Sequence, residues 1–259
     1  MQVAAAVIAI QPIEKRMPAP RKHAASCSSC NLRELCLPGG LDAEDLARID
    51  NLVYARRRVK RGDALYQSGV AFNAIYAIRS GSFKASLFDG EGREQVSGFF
   101  MGGELLGLEG LGSGTYGATA IALEDSEVCV LPYALIEELS REIPALQRRL
   151  HTVLAREIVR DHGVMMLLGT MRAEQRLATF LLNLSGRSKR RGYSSSDFHL
   201  RMSREEMGSY LGLKLETVSR LFSQFHDAGL IEVDYRHVRI LDVQGLERVL
   251  HEHAARVSN

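Results

Sequence analysis

Three of the chain's four cysteines stand close together, Cys27, Cys30 and Cys36, in the spacing C-x2-C-x5-C, and the fourth, Cys129, lies far downstream on a segment that reads as a β-strand. Thiolates are soft ligands suited to zinc or iron-sulfur centres. In a reducing compartment a clustered set of them points to metal, not to disulfides. The arithmetic leaves no cysteine spare. Spacing alone does not choose between a [4Fe-4S] cluster and a four-sulfur zinc site, and both stay open on these residues. A buried free thiol is a plain alternative for Cys129, but a poor one for a triplet in a loop.

A second constellation has the chemistry of base recognition. Glu216, Ser219 and Arg220 fall at i, i+3 and i+4 and so share one face near the start of a helix. An arginine can donate two parallel bonds to guanine O6 and N7. A glutamate can accept from the amino group of cytosine or adenine, and a serine can touch a neighbouring base or methyl. A surface ion pair between Glu216 and Arg220 is the alternative. Arg187, Lys189, Arg190 and Arg191 form a basic run that suits phosphate contact or a solvated turn.

These residues need elements to position them. A short helix is expected from Asp42, with Leu46, Ile49 and Leu52 on one face. From Val53 to Pro132 the period falls to two, in runs such as Asn73 to Arg79 and Ser82 to Phe88 broken by glycines, as in a β-sandwich or barrel-like roll. Helical period returns at Tyr133 to Ser140. Pro144 then suits the first position of a long helix running to about Thr170. Leu154, Ile158, Asp161, Met165 and Leu168 alternate spacings of four and three along it, the seam of a two-stranded coiled coil with an acid at one core position. A stripe facing the chain's own core is the alternative.

Beyond Met171 we expect a helix ending near Leu184, the basic loop, and a strand over Phe198 to Met202. A capping box at Ser203 and Glu206 starts a helix that stops at Gly212. A second helix should run from about Leu215 to Ala228, with Val218, Leu221, Phe222 and Phe225 inward and Gly229 as its stop. A terminal hairpin should follow, over Leu230 to Val233 and Val238 to Leu241. Helix, glycine turn, helix and hairpin make a winged helix-turn-helix, whose second helix enters the major groove. The fold class is α+β.

At 259 residues, 46% apolar and 25% charged, the chain has material for two ordinary domains, and a net charge of +2 argues neither for nor against nucleic acid. Prolines and basic residues interleave over residues 1–25, which reads as a flexible tail. No apolar run reaches the ~20 residues a bilayer span needs, so a cytoplasmic protein with no membrane partner is expected. The sequence holds no phosphate-binding loop, zincin motif or triad signature, which weighs against an enzyme. His23, His151 and His162 read as surface.

The motifs together resemble the CRP/FNR superfamily, in its fumarate-and-nitrate-reduction regulator branch, from about Ser26 to Leu250. The likeness rests on Cys27-x2-Cys30-x5-Cys36-Leu-Pro, Ala77-Ile-Arg-Ser-Gly81, Gly103-Glu104, Gly112-Ser-Gly114, Cys129 and Tyr210-Leu-Gly-Leu-x-x-Glu-Thr-Val-Ser-Arg220. It implies an oxygen-labile [4Fe-4S] cluster on Cys27, Cys30, Cys36 and Cys129. It further implies a cluster loop with a β-roll over 26–143, a dimerisation helix over 144–171 and a winged helix-turn-helix over 172–259. The partners implied are a second copy of the chain, operator DNA with half-sites like TTGAT and ATCAA, and RNA polymerase met through loops such as Asp89 to Gln95. Asp161 falls in the implied dimer seam, where two carboxylates would oppose each other. More distant cousins bind cyclic AMP through an arginine in the roll. Here no Lys or Arg occurs from Glu94 to Ser140, so no cyclic nucleotide is expected. The Gly112 to Gly114 amides are a weaker anion signal. Asn31 departs from the serine of the best-known relative, at a position that can tune hydrogen bonding and solvent access to a cluster.

Overall fold

The computed structural model describes residues 27–50 and 55–251. The expected flexible tail at 1–25, together with Ser26, Leu52 and Val53, lies outside the described residues. The cysteine loop contains a 3-10 turn, Arg33–Leu35, and leads into helix α1 (Ala43–Asp50). Asp42 starts α1 by accepting from the Asp45 amide at 2.9 Å, and Leu46 and Ile49 turn inward.

The β-rich region is a roll of two four-stranded antiparallel sheets. Its elements are β1 (Ala55–Val59), β2 (Ala64–Tyr66), β3 (Ala74–Ser80), β4 (Ser82–Phe88), β5 (Glu94–Met101), β6 (Leu105–Leu106), the single turn α2 (Gly110–Ser113), β7 (Thr119–Ala122) and β8 (Ser126–Pro132). One sheet runs β1-β8-β3-β6 and the other β2-β7-β4-β5. Between them lie Ile78, Phe83, Leu106, Ala120 and Val128, with Tyr66 stacked on Tyr116 at 4.1 Å and on Tyr76 at 5.7 Å. The roll's interior is thus filled by its own side chains.

Helix α3 (Tyr133–Glu142) is followed by the 27-residue α4 (Pro144–Thr170), which Pro144 opens as the sequence suggests. Leu37, Ile49, Ile136, Ile143, Leu146 and Val153 form one core that binds the cysteine loop to the start of α4. Among the described residues no helix is long and apolar enough to cross a membrane.

The last third comprises α5 (Ala173–Arg190), β9 (Asp197–His199), α6 (Arg204–Leu211), α7 (Leu215–Asp227), β10 (Ile231–Asp234), β11 (His237–Ile240) and α8 (Val243–His251), with the sheet order β10-β11-β9. Two expectations need correction. Helix α5 does not end near Leu184 but runs through Gly186 to Arg190. A helical glycine costs only ~1 kcal/mol, which buried Leu181, Leu184 and Ser188 offset, and basic residues are favoured in a last turn. The hairpin is not terminal either. Asp242 caps α8 by accepting from the Gly245 amide at 2.8 Å, and Leu246 is fully buried beneath it.

The capping box forms as expected. Ser203 Oγ accepts from the Glu206 amide at 3.1 Å, and Glu206 Oε2 accepts from the Ser203 amide at 2.7 Å. Ser203→Ala should lower stability by about 1 kcal/mol, read as a lower urea midpoint at unchanged slope; an unchanged midpoint would mean the cap contributes nothing.

Candidate cluster site and DNA interface

All four cysteines line one pocket, together with Leu32, Leu37, Ile49, Ile78, Leu131 and the cations Arg33 and Arg79. The loop brings Cys27, Cys30 and Cys36 to it. Cys129 comes from β8, the strand flanked by β1 and β3, where it sits opposite Arg56 and Ala77. All four are free thiols and none is fully exposed. Burial pushes the Cys27 thiol up to about 12, reinforced by the charges of Cys129, Asp50 and Cys30. Burial does the same for Cys36, also to about 12, the Leu37 amide working against it. Burial raises Cys129 too, while Arg56 and Arg79 pull it down. Four thiolates so placed repel one another, and a cationic iron core is what would let them ionise together. The donor set and its apolar, arginine-edged walls fit an iron-sulfur cluster. Among the described residues the cysteines do not close with a third His, Cys, Asp or Glu on a single ion position.

The loop is held at both ends. Asp50, at the end of α1, accepts from the amides of Cys27 at 2.5 Å and Ser28 at 3.1 Å and from Ser28 Oγ at 2.7 Å. At the other end Arg149 of α4 donates to the carbonyls of Glu34 and Cys36. In the middle, Leu32 and Leu35 lie against Gly102 and Gly103, so closely that a Cβ at Gly103 would sit 2.8 Å from that of Leu35.

Next to those glycines is Glu104, the centre of a buried charge group. Arg187 Nη2 donates to its Oε2 at 2.5 Å and to Phe99 O at 2.7 Å; Arg191 Nη2 donates to Oε1 at 2.5 Å, and its Nε donates to Gly102 O at 2.6 Å. Only 3% of the Arg191 side chain and 12% of that of Arg187 is exposed. The carboxyl of Glu104 is held below its usual range, the two arginines overcoming the cost of burial. This corrects the expectation for the basic run: Arg187 and Arg191 are turned into the roll and are not free for phosphate. Of the four, Lys189 and Arg190 remain exposed.

On α7, Val218, Leu221, Phe222 and Phe225 are buried, while Glu216, Ser219 and Arg220 are exposed on the opposite face. Among the described residues no ion pair joins Glu216 to Arg220, so both side chains are unengaged by each other. Gly212 makes the turn before α7 with φ 61°, and its carbonyl region is gripped by Arg176, which donates to Leu211 O at 2.9 Å. The hairpin tip presents Tyr235, 81% exposed.

Along α4 the exposed apolar residues are Ile158, Val159, Met165 and Met166, at 56 to 69% exposure, with Leu154 half-buried beside them. Of the expected seam, Ile158, Asp161 and Met165 are exposed and Leu154 is half-buried. Leu168 packs into the C-terminal core, and its carbonyl accepts from Arg176 at 2.8 Å, whereas Val159 and Met166 take the exposed side. Asp161 flanks the stripe, 66% exposed, with Arg160 at 3.9 Å.

Residues 175–249 match the Crp-like helix-turn-helix domain, and residues 56–142 match the cyclic nucleotide-binding domain. The chain is 47% identical over 238 residues to the transcriptional regulatory protein btr of Bordetella pertussis, spanning 92% of this chain and 98% of that one. It is 36% identical to the fumarate and nitrate reduction regulatory protein of Escherichia coli, spanning 84% and 87%. The chain belongs to the fumarate-and-nitrate-reduction branch of the CRP/FNR superfamily. Among solved structures, FixK2 from Bradyrhizobium japonicum superposes with a TM-score of 0.69 at 28% identity, over 75% of this chain and 96% of that one. As a CRP/FNR member the protein is a transcription regulator with a DNA-binding helix-turn-helix, and it is not an enzyme.

Sequence reasoning missed three residues of this CRP/FNR chain that organise the site. Glu104 carried a signal, an acid beside paired glycines in a stretch without a cation. Asp50 and Arg149 carried none, because they hold the loop largely through its main-chain amides and carbonyls, which no side-chain pattern reveals.

Proposed function

We propose that this regulator is a homodimer that responds to oxygen, and in the same manner to nitric oxide, through a [4Fe-4S] cluster held by Cys27, Cys30, Cys36 and Cys129. The observation that carries the reading is that four free cysteines, distant in sequence, line one apolar pocket edged by arginines. When bound, the cluster supplies an oxygen-labile centre whose presence reports anaerobic conditions.

The chain's own residues do the rest. Ile158, Val159, Met165 and Met166 present an apolar stripe along α4 for a second copy. Asp161 at its flank sets two carboxylates near each other across the pair and keeps the dimer marginal, so a modest bias from the cysteine loop suffices to switch it. The dimer sets two α7 helices against successive major grooves of a palindrome resembling TTGAT and ATCAA, with Glu216, Ser219 and Arg220 toward the bases and Lys189 and Arg190 available to phosphate. The β4–β5 turn offers RNA polymerase a shaped surface: Asp89 Oδ1 accepts from the amides of Glu91 and Arg93, and Phe88 beside it is 49% exposed.

No cyclic nucleotide is bound in this reading. The stretch of the roll from Glu94 onward, through Ser140, holds no Lys or Arg. Helices α4 and α5 bring Arg160, Arg187 and Arg191 close, but these are committed to Glu157 and Glu104, and tyrosines fill the interior.

Anaerobic reconstitution with iron and sulfide tests the proposal. About four irons and four acid-labile sulfides per chain, with visible absorption that bleaches in air, are expected. Zinc, or no metal, would leave a DNA-binding regulator with a different signal. Asp161→Ala should dimerise and bind the operator in air without iron, its dimer at least about fivefold tighter by sedimentation than the metal-free parent; an unchanged dissociation constant would remove Asp161 from the switch.

A further inference from the structure

The cysteine loop meets the long helix through Arg149. Arg149 Nη2 donates to Glu34 O at 2.9 Å and to Cys36 O at 2.8 Å, and its Nε donates to Cys36 O at 3.2 Å. The guanidinium lies in the hollow of the loop because Gly39 leaves room for it. A Cβ there would stand 2.5 Å from Arg149 Nη2 and 2.7 Å from Glu34 O. The same residue whose thiol faces the cysteine pocket, Cys36, thus has its carbonyl in the grip of α4. Below this contact Leu37, 1% exposed, packs on Leu146 and Val153 of α4, so loop and helix share a core as well as a hydrogen-bonded joint.

Helical geometry gives this joint its meaning. Arg149 and Ile158 are nine positions apart on α4, which at ~100° per residue places them on opposite faces and ~13 Å apart along the axis. One face of the helix holds the protein's own loop, and the opposite face carries exposed Ile158 and Met165, with Val159 and Met166 on the flank between.

We infer that Arg149 is the positioning residue through which α4 senses the cysteine loop, its guanidinium making Cys36 and the first turns of α4 move as one body. A planar fork with several fixed donors can hold two carbonyls at once. A lysine ammonium reaches them only as a flexible point charge, so lysine should restore the link in part. The inference rests on the proposed cluster reading.

The test uses the full-length chain and measures two quantities side by side: iron per chain after anaerobic reconstitution, and the dimer dissociation constant by sedimentation with and without iron. Arg149→Ala and Gly39→Ala are compared with the parent and with Arg149→Lys. Gly39→Ala keeps every cysteine and Arg149 in the sequence while crowding the guanidinium against the Glu34 carbonyl it binds. In the parent, iron should tighten the dimer. In iron-loaded Arg149→Ala and Gly39→Ala that tightening should shrink by at least about fivefold, with Arg149→Lys between them and the parent. If Arg149→Ala fails to fold or to take up iron, Gly39→Ala decides. An iron-loaded Gly39→Ala or Arg149→Ala that tightens as much as the parent overturns the inference. A parent that takes up no iron, or does not tighten with it, overturns instead the function on which the inference rests.

Discussion

Cys129→Ser should leave a folded chain that no longer holds iron and no longer finds its operator. The substitution is nearly isosteric on a strand whose register with Arg56 and Ala77 depends on main-chain bonds, so the roll has little reason to change. What changes is the donor set. The loop cysteines alone leave one corner of the pocket without a thiolate, and a serine hydroxyl is a hard, weakly acidic substitute for a soft ligand. Without the cluster, operator binding should fall to the non-specific level, a loss of at least ~10³-fold. Iron content and fluorescence anisotropy with operator DNA, both without oxygen, read the two effects. A variant with parental iron would make Cys129 a structural thiol and would remove the observation on which the cluster proposal stands.

Glu104→Ala should be the most destabilising single substitution we foresee. It leaves the guanidinium groups of Arg187 and Arg191 buried without their carboxylate, and breaking a buried ion pair from one side costs ~3–5 kcal/mol. That is a large share of the ~5–15 kcal/mol by which domains are stable. The pair also has a sign in pH. The folded carboxyl titrates below its ordinary value, so its contribution is complete above the unfolded pKa and is lost as pH falls through the depressed folded one. Glu104→Gln, neutral at every pH, should therefore unfold more easily at neutral pH and show a shallower loss of stability on acidification. Urea titrations at neutral and acidic pH measure both. A cost within ~1 kcal/mol for Glu104→Ala would mean that water or Glu157 takes over the arginines.

Much of this fold is legible in the sequence because local signals and packing agree. Pro144 opens α4, Ser203 and Glu206 make the capping box, Gly212 takes φ 61°, and the inward face of α7 is the one its apolar spacing marks. The cysteines were legible as a set because three of them cluster in a loop and all are soft donors, and the fold brings the four to one pocket. Errors arose where tertiary structure overrides local cues. Ser185 and Gly186 look like the end of a helix, yet burial carries α5 to Arg190, and that extension turns Arg187 and Arg191 inward. A charge run does not say which of its members face a buried acid more than eighty residues away in sequence. Likewise the spacing along α4 cannot show that Leu168, at the end of the expected seam, packs against the core around Gly212 and Arg176.

One joint between the two halves has a consequence for folding. Strand β5 is an edge of its sheet, and α6 lies along it. Ser209 Oγ accepts from the Val96 amide at 2.8 Å, Gln95 donates to Ser209 O, and Lys84 reaches Glu206 at 3.2 Å. An uncovered edge strand is a template for pairing with another chain, and this one carries Val96, Phe99 and Phe100. The helix-turn-helix half thus covers the open edge of the roll. During synthesis the roll emerges first with that edge bare, and the chain is most exposed to sheet-to-sheet aggregation in the interval before α6 arrives to close it.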